Sequence, residues 1–249
     1  MKLSLVFATA ISSFVVGATT TLGFSDQADA LTFSGISTGT WGEPSPGSTD
    51  TNPNPIYTGV GNNIFTWGDA NVCPPSSNPP SGCRITGSNK LTLTGNSFST
   101  DINSVFKIAD LTYFNGTVVK GTSVEDVPLN LNVSFSAPVG ISQVFDFKLH
   151  LVNTPNEATN SEEENADLVF IDENLSNPTF TFEGNKYTLE LTGFNPDIPQ
   201  ISIEALEGGT TKTAIYAKIK TIPEPATVAG ILLVGMYLIS SKKLLEKKH

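Results

Sequence analysis

The sequence predicts an all-β fold, a β-sandwich of jelly-roll-like type set between two hydrophobic termini. Three observations predict it. Apolar residues in the middle of the chain recur every second position rather than every 3.6. Glycine and proline number 21 and 16 in 249 residues, enough to punctuate the chain with turns throughout. No convincing amphipathic helix occurs between Leu31 and Ile222. Many short strands broken by Gly, Pro and Asn loops form sandwiches or barrels.

The clearest strand is Leu129–Phe135. Leu129, Leu131, Val133 and Phe135 alternate with Asn130, Asn132 and Ser134, which places one row on a core and the other toward solvent. Phe145, Phe147, Leu149 and Leu151 alternate likewise with Asp146, Lys148 and His150. Earlier strands are expected at Leu31–Ile36, Ile64–Trp67, Lys90–Thr94 and Val105–Tyr113. Later ones are expected at Ala166–Ile171, Thr179–Phe182, Tyr187–Phe194, Ile201–Leu206 and Ala214–Ile219. Asn115-Gly116, Glu183-Gly184-Asn185 and Gly208-Gly209 are the turn signals between them. About 190 residues suffice for one such core.

The termini read as addresses. Met1–Ala30 has the form of a secretory signal peptide: Lys2, an apolar run from Leu3 to Gly17, and a small-x-small site at Ala28-Asp29-Ala30. Cleavage there would leave Leu31 first; a retained N-terminal anchor is the rival reading. At the other end Pro223-Glu224-Pro225 precedes an apolar stretch, Ala226–Ile239, and a tail bearing Lys242, Lys243, Lys247 and Lys248. Ala226 to Ser241 would make about 24 Å of helix, short of a ~30 Å hydrocarbon core but lengthened by snorkelling lysines. Spanning is favoured over an amphipathic surface helix because the run has no polar face beyond Thr227. The lysines place the tail on the cytoplasmic side and the polar middle outside. Three segments follow: 1–30 a signal peptide, 31–221 an ectodomain, and 222–249 a sorting segment.

This C-terminal arrangement resembles the PEP-CTERM sorting signal of Gram-negative bacteria. The resemblance covers Ile222–His249, with lysines where the family more often has arginines. It implies recognition by an exosortase, processing near Pro223-Glu224-Pro225, and a place at the cell surface or in exopolysaccharide export. Two prolines remove backbone donors and keep the segment extended and open to a protease. A proline-containing juxtamembrane linker is the plain alternative.

Several elements of the middle keep a familiar order: Tyr57–Gly61, Phe65–Gly68, Leu91–Phe98, Leu111–Thr117, Asn153–Asn156, Ala166–Val169 and Tyr187–Phe194. They resemble the choice-of-anchor K ectodomain of exported bacterial proteins, which includes cyanobacterial members with PEP-CTERM tails. That family has no assigned activity, so the resemblance implies location and fold.

Charge narrows the partners. Leu31–Pro225 holds 9 Lys and Arg, the chain's 14 less Lys2 and the four tail lysines. It holds 21 Asp and Glu, the chain's 24 less Asp26, Asp29 and Glu246, for a net −12. Such a balance argues against nucleic acid and anionic lipid as ligands. It favours solubility and divalent cations.

Cys73 and Cys83 are the only cysteines and bracket a proline-rich run. In an oxidising compartment they are expected to pair, worth roughly 2.5–3 kcal/mol for a loop of about ten residues. A metal or redox thiol pair is the rival.

Residues that could carry chemistry are few. Thr40-Trp41-Gly42-Glu43 and Thr66-Trp67-Gly68-Asp69 repeat one pattern, so Trp41 and Trp67 either form a stacking platform for sugar rings or pack into the core. The run Asn153–Glu173 is rich in Asn, Asp and Glu without Lys or Arg. Its oxygens, Asn156, Glu164 and Asp167 among them, suit calcium or form a solvated acidic loop. His150 is the only histidine of the ectodomain, and no G-x-S-x-G elbow presents a serine nucleophile. The expectation is an exported, non-enzymatic structural or interaction protein without a cofactor. The alternatives are an exopolysaccharide-binding module, calcium-assisted, and a secreted polysaccharide hydrolase.

Overall fold

The computed structural model describes residues 31–45, 51–73, 86–137, 140–156, 160–172 and 179–223. Their regular structure consists of strands: β1 (Thr32–Trp41), β2 (Tyr57–Thr58), β3 (Ile64–Trp67), β4 (Asn89–Gly95), β5 (Ser97–Asp101), β6 (Val105–Phe114), β7 (Asp126–Ala137), β8 (Ser142–Val152), β9 (Asp167–Ile171), β10 (Thr179–Phe182), β11 (Asn185–Gly193), β12 (Ser202–Ala205) and β13 (Thr210–Ile222). They form two sheets, ordered β12-β9-β8-β7-β1-β5 and β10-β11-β13-β6-β4-β3-β2. Every ladder pairing between named strands is antiparallel. The edge strands β12, β5, β10 and β2 have 4, 5, 4 and 2 residues, whereas the inner β7, β8 and β13 have 12, 11 and 13.

Alternation sorts each strand into an inner and an outer row. On β7 the inward row is Val127, Leu129, Leu131, Val133 and Phe135, all buried. On β8 it is Phe145, Phe147, Leu149 and Leu151. Aromatic rings join the two sheets on the side of the edge strands β5 and β10. Phe33 of β1 lies 5.8 Å from Phe180 and 5.2 Å from Tyr187, both in the other sheet. Phe135 lies 5.0 Å from Phe180, and Phe98 lies 4.9 Å from Phe106. Such pairs add about 0.5–1.5 kcal/mol each beyond the area they bury.

Small residues let β1 approach its neighbours closely. Between Phe33 and Trp41 its inward row is Gly35, Ser37 and Gly39. A Cβ at Gly39 would lie 2.1 Å from Leu93 Cδ2. The Ser37 hydroxyl donates to the Ile108 carbonyl across the sheets and accepts the Asn96 N–H at 3.0 Å. Asn96 is the single residue between β4 and β5, where the chain changes sheets.

The turns follow the backbone each residue tolerates. Glu183 and Gly184 have φ of 49° and 79° and close a two-residue hairpin between β10 and β11. Positive φ at both central residues is the hairpin geometry that matches strand twist. Asn115 and Gly208-Gly209, separate turn signals in the sequence, are clasped together. Asn115 donates its N–H to Gly209 O and its Nδ2 to Ala205 O, and accepts the Gly208 N–H.

The strands expected from alternation are present, most of them longer than expected. β1 continues through Gly39 to Trp41, and β13 runs from Thr210 to Ile222. β2 and β5 were not expected, since β5 offers only Phe98 as an apolar marker. The expected signal peptide, with Ala28 and Ala30, and the expected C-terminal membrane helix lie outside the described residues. No helix among the described residues is long and apolar enough to cross a membrane.

Candidate functional site

Where β8 ends, a cleft of about 820 Å³ opens between the segment after β6 and the segment leaving β8. Val118, Val119, Val124 and Leu151 give it apolar walls, Lys120 and Glu125 bring charge to it, and His150 adds an imidazole. Glu125 is held from both sides: its N–H donates to Ser45 O at 3.0 Å, and its carbonyl accepts the Leu151 N–H at 2.6 Å.

Strand register builds the charged side of the cleft. Asp126 and His150 are direct partners across β7 and β8, both in outward rows. His150 Nδ1 lies 2.9 Å from Asp126 Oδ1. Lys148, two positions earlier in the same row, lies 2.9 Å from Asp172 Oδ2 and 3.6 Å from Asp126 Oδ2. The Asp172 hydrogen bond is the main reason the Lys148 ammonium is held above its ordinary range. A carboxylate that orients an imidazole is half of a general-base arrangement. Among the described residues no hydroxyl hydrogen-bonds to the His150 ring.

Behind one wall of the cleft lies a second acidic set. Thr154 donates its N–H to Asp167 Oδ1 at 2.7 Å and its hydroxyl to Ala166 O at 2.9 Å. Asp167 is buried, and Tyr113 donates its hydroxyl to Asp167 Oδ2 at 3.4 Å. Loss of water pushes the Asp167 carboxyl up to about 7, reinforced by the charge of Glu207 and opposed by the Thr154 and Tyr113 donors. Burial drives the Tyr113 phenol well above its usual range, with Asp167 adding to the rise. Glu207 Oε2 accepts from Asn156 Nδ2 at 2.9 Å, while its buried Oε1 has no hydrogen-bond partner among the described residues.

The residues singled out by sequence fall in several places. Trp41 and Trp67 are in the core, at 0% and 2% exposure, so of the two readings core packing holds and the sugar-stacking platform is corrected. Both end strands on the inward row: Trp41 donates Nε1–H to Asn63 O at 3.0 Å, and Trp67 stacks on Tyr113 at 5.9 Å. Neither ring has a face left for a sugar. Of the calcium candidates, Asn156 engages Glu207 and Asp167 turns inward. Glu164 accepts the Ser161 N–H at 2.8 Å, closing its own turn. No group of three His, Cys, Asp or Glu among the described residues is placed to hold a metal. Cys73 is not a free thiol, whereas Cys83 lies outside the described residues. Pro223 is exposed just after β13, and Glu224 and Pro225 lie outside the described residues.

Asp126, Lys148, Tyr113 and Glu207 were not singled out by sequence, and Asp172 stood only as one acid of the Asn153–Glu173 run. Asp126 had a usable signal: two alternating strands joined as a hairpin fix which outward residues face each other. Compared with known proteins, the chain matches no family model and no curated protein.

Proposed function

We propose that the chain is an exported protein of the cell surface or extracellular matrix with a structural, non-enzymatic role. Met1–Ala30 directs export through the secretion machinery, and the apolar segment after Pro225 holds the protein in the membrane as a helix. An exosortase-type enzyme then acts at Pro223-Glu224-Pro225, as in PEP-CTERM proteins. The ectodomain is a jelly-roll-like sandwich of the choice-of-anchor K kind, pinned by a Cys73–Cys83 disulfide.

The observation that carries this reading is where the fold closes. β13 lies inside the seven-stranded sheet, between β11 and β6, and it ends at Ile222 with Pro223 exposed. A cut at the following residues leaves every described strand and its described ladder partners in place. Mass spectrometry of the surface-exposed form tests it: the expected product begins at Leu31, ends near Pro225 and has no free thiol. Recovery of an intact tail through His249 overturns the processing step.

A second reading is favoured by the cleft. Its volume lies within the range of small-ligand sites, and it joins apolar walls to a few polar groups. This supports an extracellular polysaccharide-binding module. Retention on particular polysaccharides, lost on His150→Ala, would favour it over the purely structural role. Release of reducing sugar would point instead to a secreted hydrolase. Absence of any heat or thermal shift with millimolar calcium would remove the calcium-assisted form.

A further inference from the structure

We propose that the outer face of the seven-stranded sheet docks on the outer face of the six-stranded sheet of a second copy, so that molecules stack head to tail. The inference goes beyond an exported structural role and rests on the separation of charge between two faces of an acidic chain.

Register and burial assign the outward rows. On the seven-stranded sheet these rows carry Lys90, Lys107, Lys186, Lys212, Lys218 and Lys220. These are six of the nine Lys and Arg between Leu31 and Pro225. Asp110 and Glu190 are the carboxylates of the same rows, paired with Lys107 and Lys220. Six lysines against two carboxylates leave this face at +4. Lys186, Lys212 and Lys218 make no ion pair among the described residues, and Lys90 lies 5.9 Å over the Phe114 ring.

The outer rows of the six-stranded sheet carry the opposite sign. Asp101, Asp126, Asp146 and Glu204 project there, with Asp172 just past β9. Lys148 is the single lysine among them, which leaves five carboxylates against one and a face at −4. The two faces are the outsides of one sandwich, so they point in opposite directions.

Size and chemistry fit one occupant. The seven strands, 2 to 13 residues long, give a face of about 800 Å² at about 3.4 Å per residue and 4.8 Å spacing. A standard stable interface needs about 800 Å² per partner. Exposed apolar groups lie on both faces, Ile64 and Val105 on the basic one, Ile36 and Val144 on the acidic one. A face of +4 attracts the −4 face of a second copy when the two oppose each other, which selects this orientation over the others open to a molecule of net negative charge. The contact joins two different patches, so it repeats without closing and builds a chain of molecules.

Sedimentation velocity of the full-length protein in mild detergent tests this. The parent is expected to associate with rising concentration at about 20 mM salt and to bind roughly tenfold or more weakly at about 500 mM, where screening is near complete. Lys186→Glu/Lys212→Glu and Asp146→Lys/Glu204→Lys alter exposed, unpaired positions, and unchanged circular dichroism verifies their folding. Each double variant alone is expected to stay monomeric where the parent associates, and the two mixed are expected to associate again. A parent that remains monomeric up to about 0.1 mM at low salt overturns the proposal. Association unchanged in both variants also overturns it, because the hydrophobic tail then drives it. Lysine-dependent capture by an acidic polysaccharide or anionic vesicles, without self-association, overturns it and gives the face to a polyanion.

Discussion

The Tyr113 hydroxyl donates to Asp167 Oδ2 at 3.4 Å while both side chains are buried beneath the wall of the cleft. A carboxyl raised to about 7 by burial makes stability depend on pH. The unfolded carboxyl titrates near its ordinary 3.8, so between about pH 4 and pH 7 the folded state binds the proton more strongly. Asp167 therefore stabilises the fold least above pH 7, and its contribution falls as pH rises through that window. Asp167→Asn keeps the acceptor for Thr154 and abolishes the charge. Urea unfolding is expected to show the variant level with the parent near pH 4 and more stable by about 1–3 kcal/mol at pH 8. A parent as stable as the variant at pH 8 would contradict the burial cost.

Trp67 stacks on Tyr113 at 5.9 Å and on Phe65 at 5.7 Å. Trp67→Ala is expected to cost about 3–5 kcal/mol, as large core truncations do. The same unfolding experiment measures it, and a loss below about 1 kcal/mol would mean that the ring is not part of the core.

Two glycines with similar backbones are expected to respond differently. Gly68 has φ of 83°, and a Cβ there would lie 2.4 Å from Val118 Cγ1. Gly184 has φ of 79° and open space around it. Gly184→Ala should therefore carry only the left-handed backbone cost of about 1–2 kcal/mol, and Gly68→Ala should exceed it by the displacement of Val118. Equal melting points for the two variants would show that the contact is not tight.

Ser37 links the sheets through Ile108 and Asn96. Ser37→Ala leaves the Asn96 N–H without this acceptor and is expected to cost about 1–3 kcal/mol. Amide exchange at Asn96 should accelerate alongside. Protection unchanged at that amide would remove the linkage.

Much of this architecture was legible because an outward polar row betrays an inward apolar one. β7 and β8 were readable for that reason, and β13 was readable where Ala217 and Ile219 alternate with Lys218 and Lys220. β5 was hidden because Phe98 is its one apolar residue and Ser, Thr and Asp make up the rest of both rows. Asp167 looked like one more acid in an acidic run. Yet it stands two and four residues before Val169 and Ile171 and shares their inward row on β9. The Asp126–His150 pair needed the hairpin register, and the Glu207–Asn156 contact joins residues 51 apart that no periodicity connects.

The four borders of the two sheets, β12, β5, β10 and β2, limit how copies of this molecule can join. Rims of 2 to 5 residues offer few free backbone donors and acceptors to another molecule. Among the described residues cross-β growth therefore finds little template, which leaves the broad flanks of the sheets as the larger surfaces open to a neighbour.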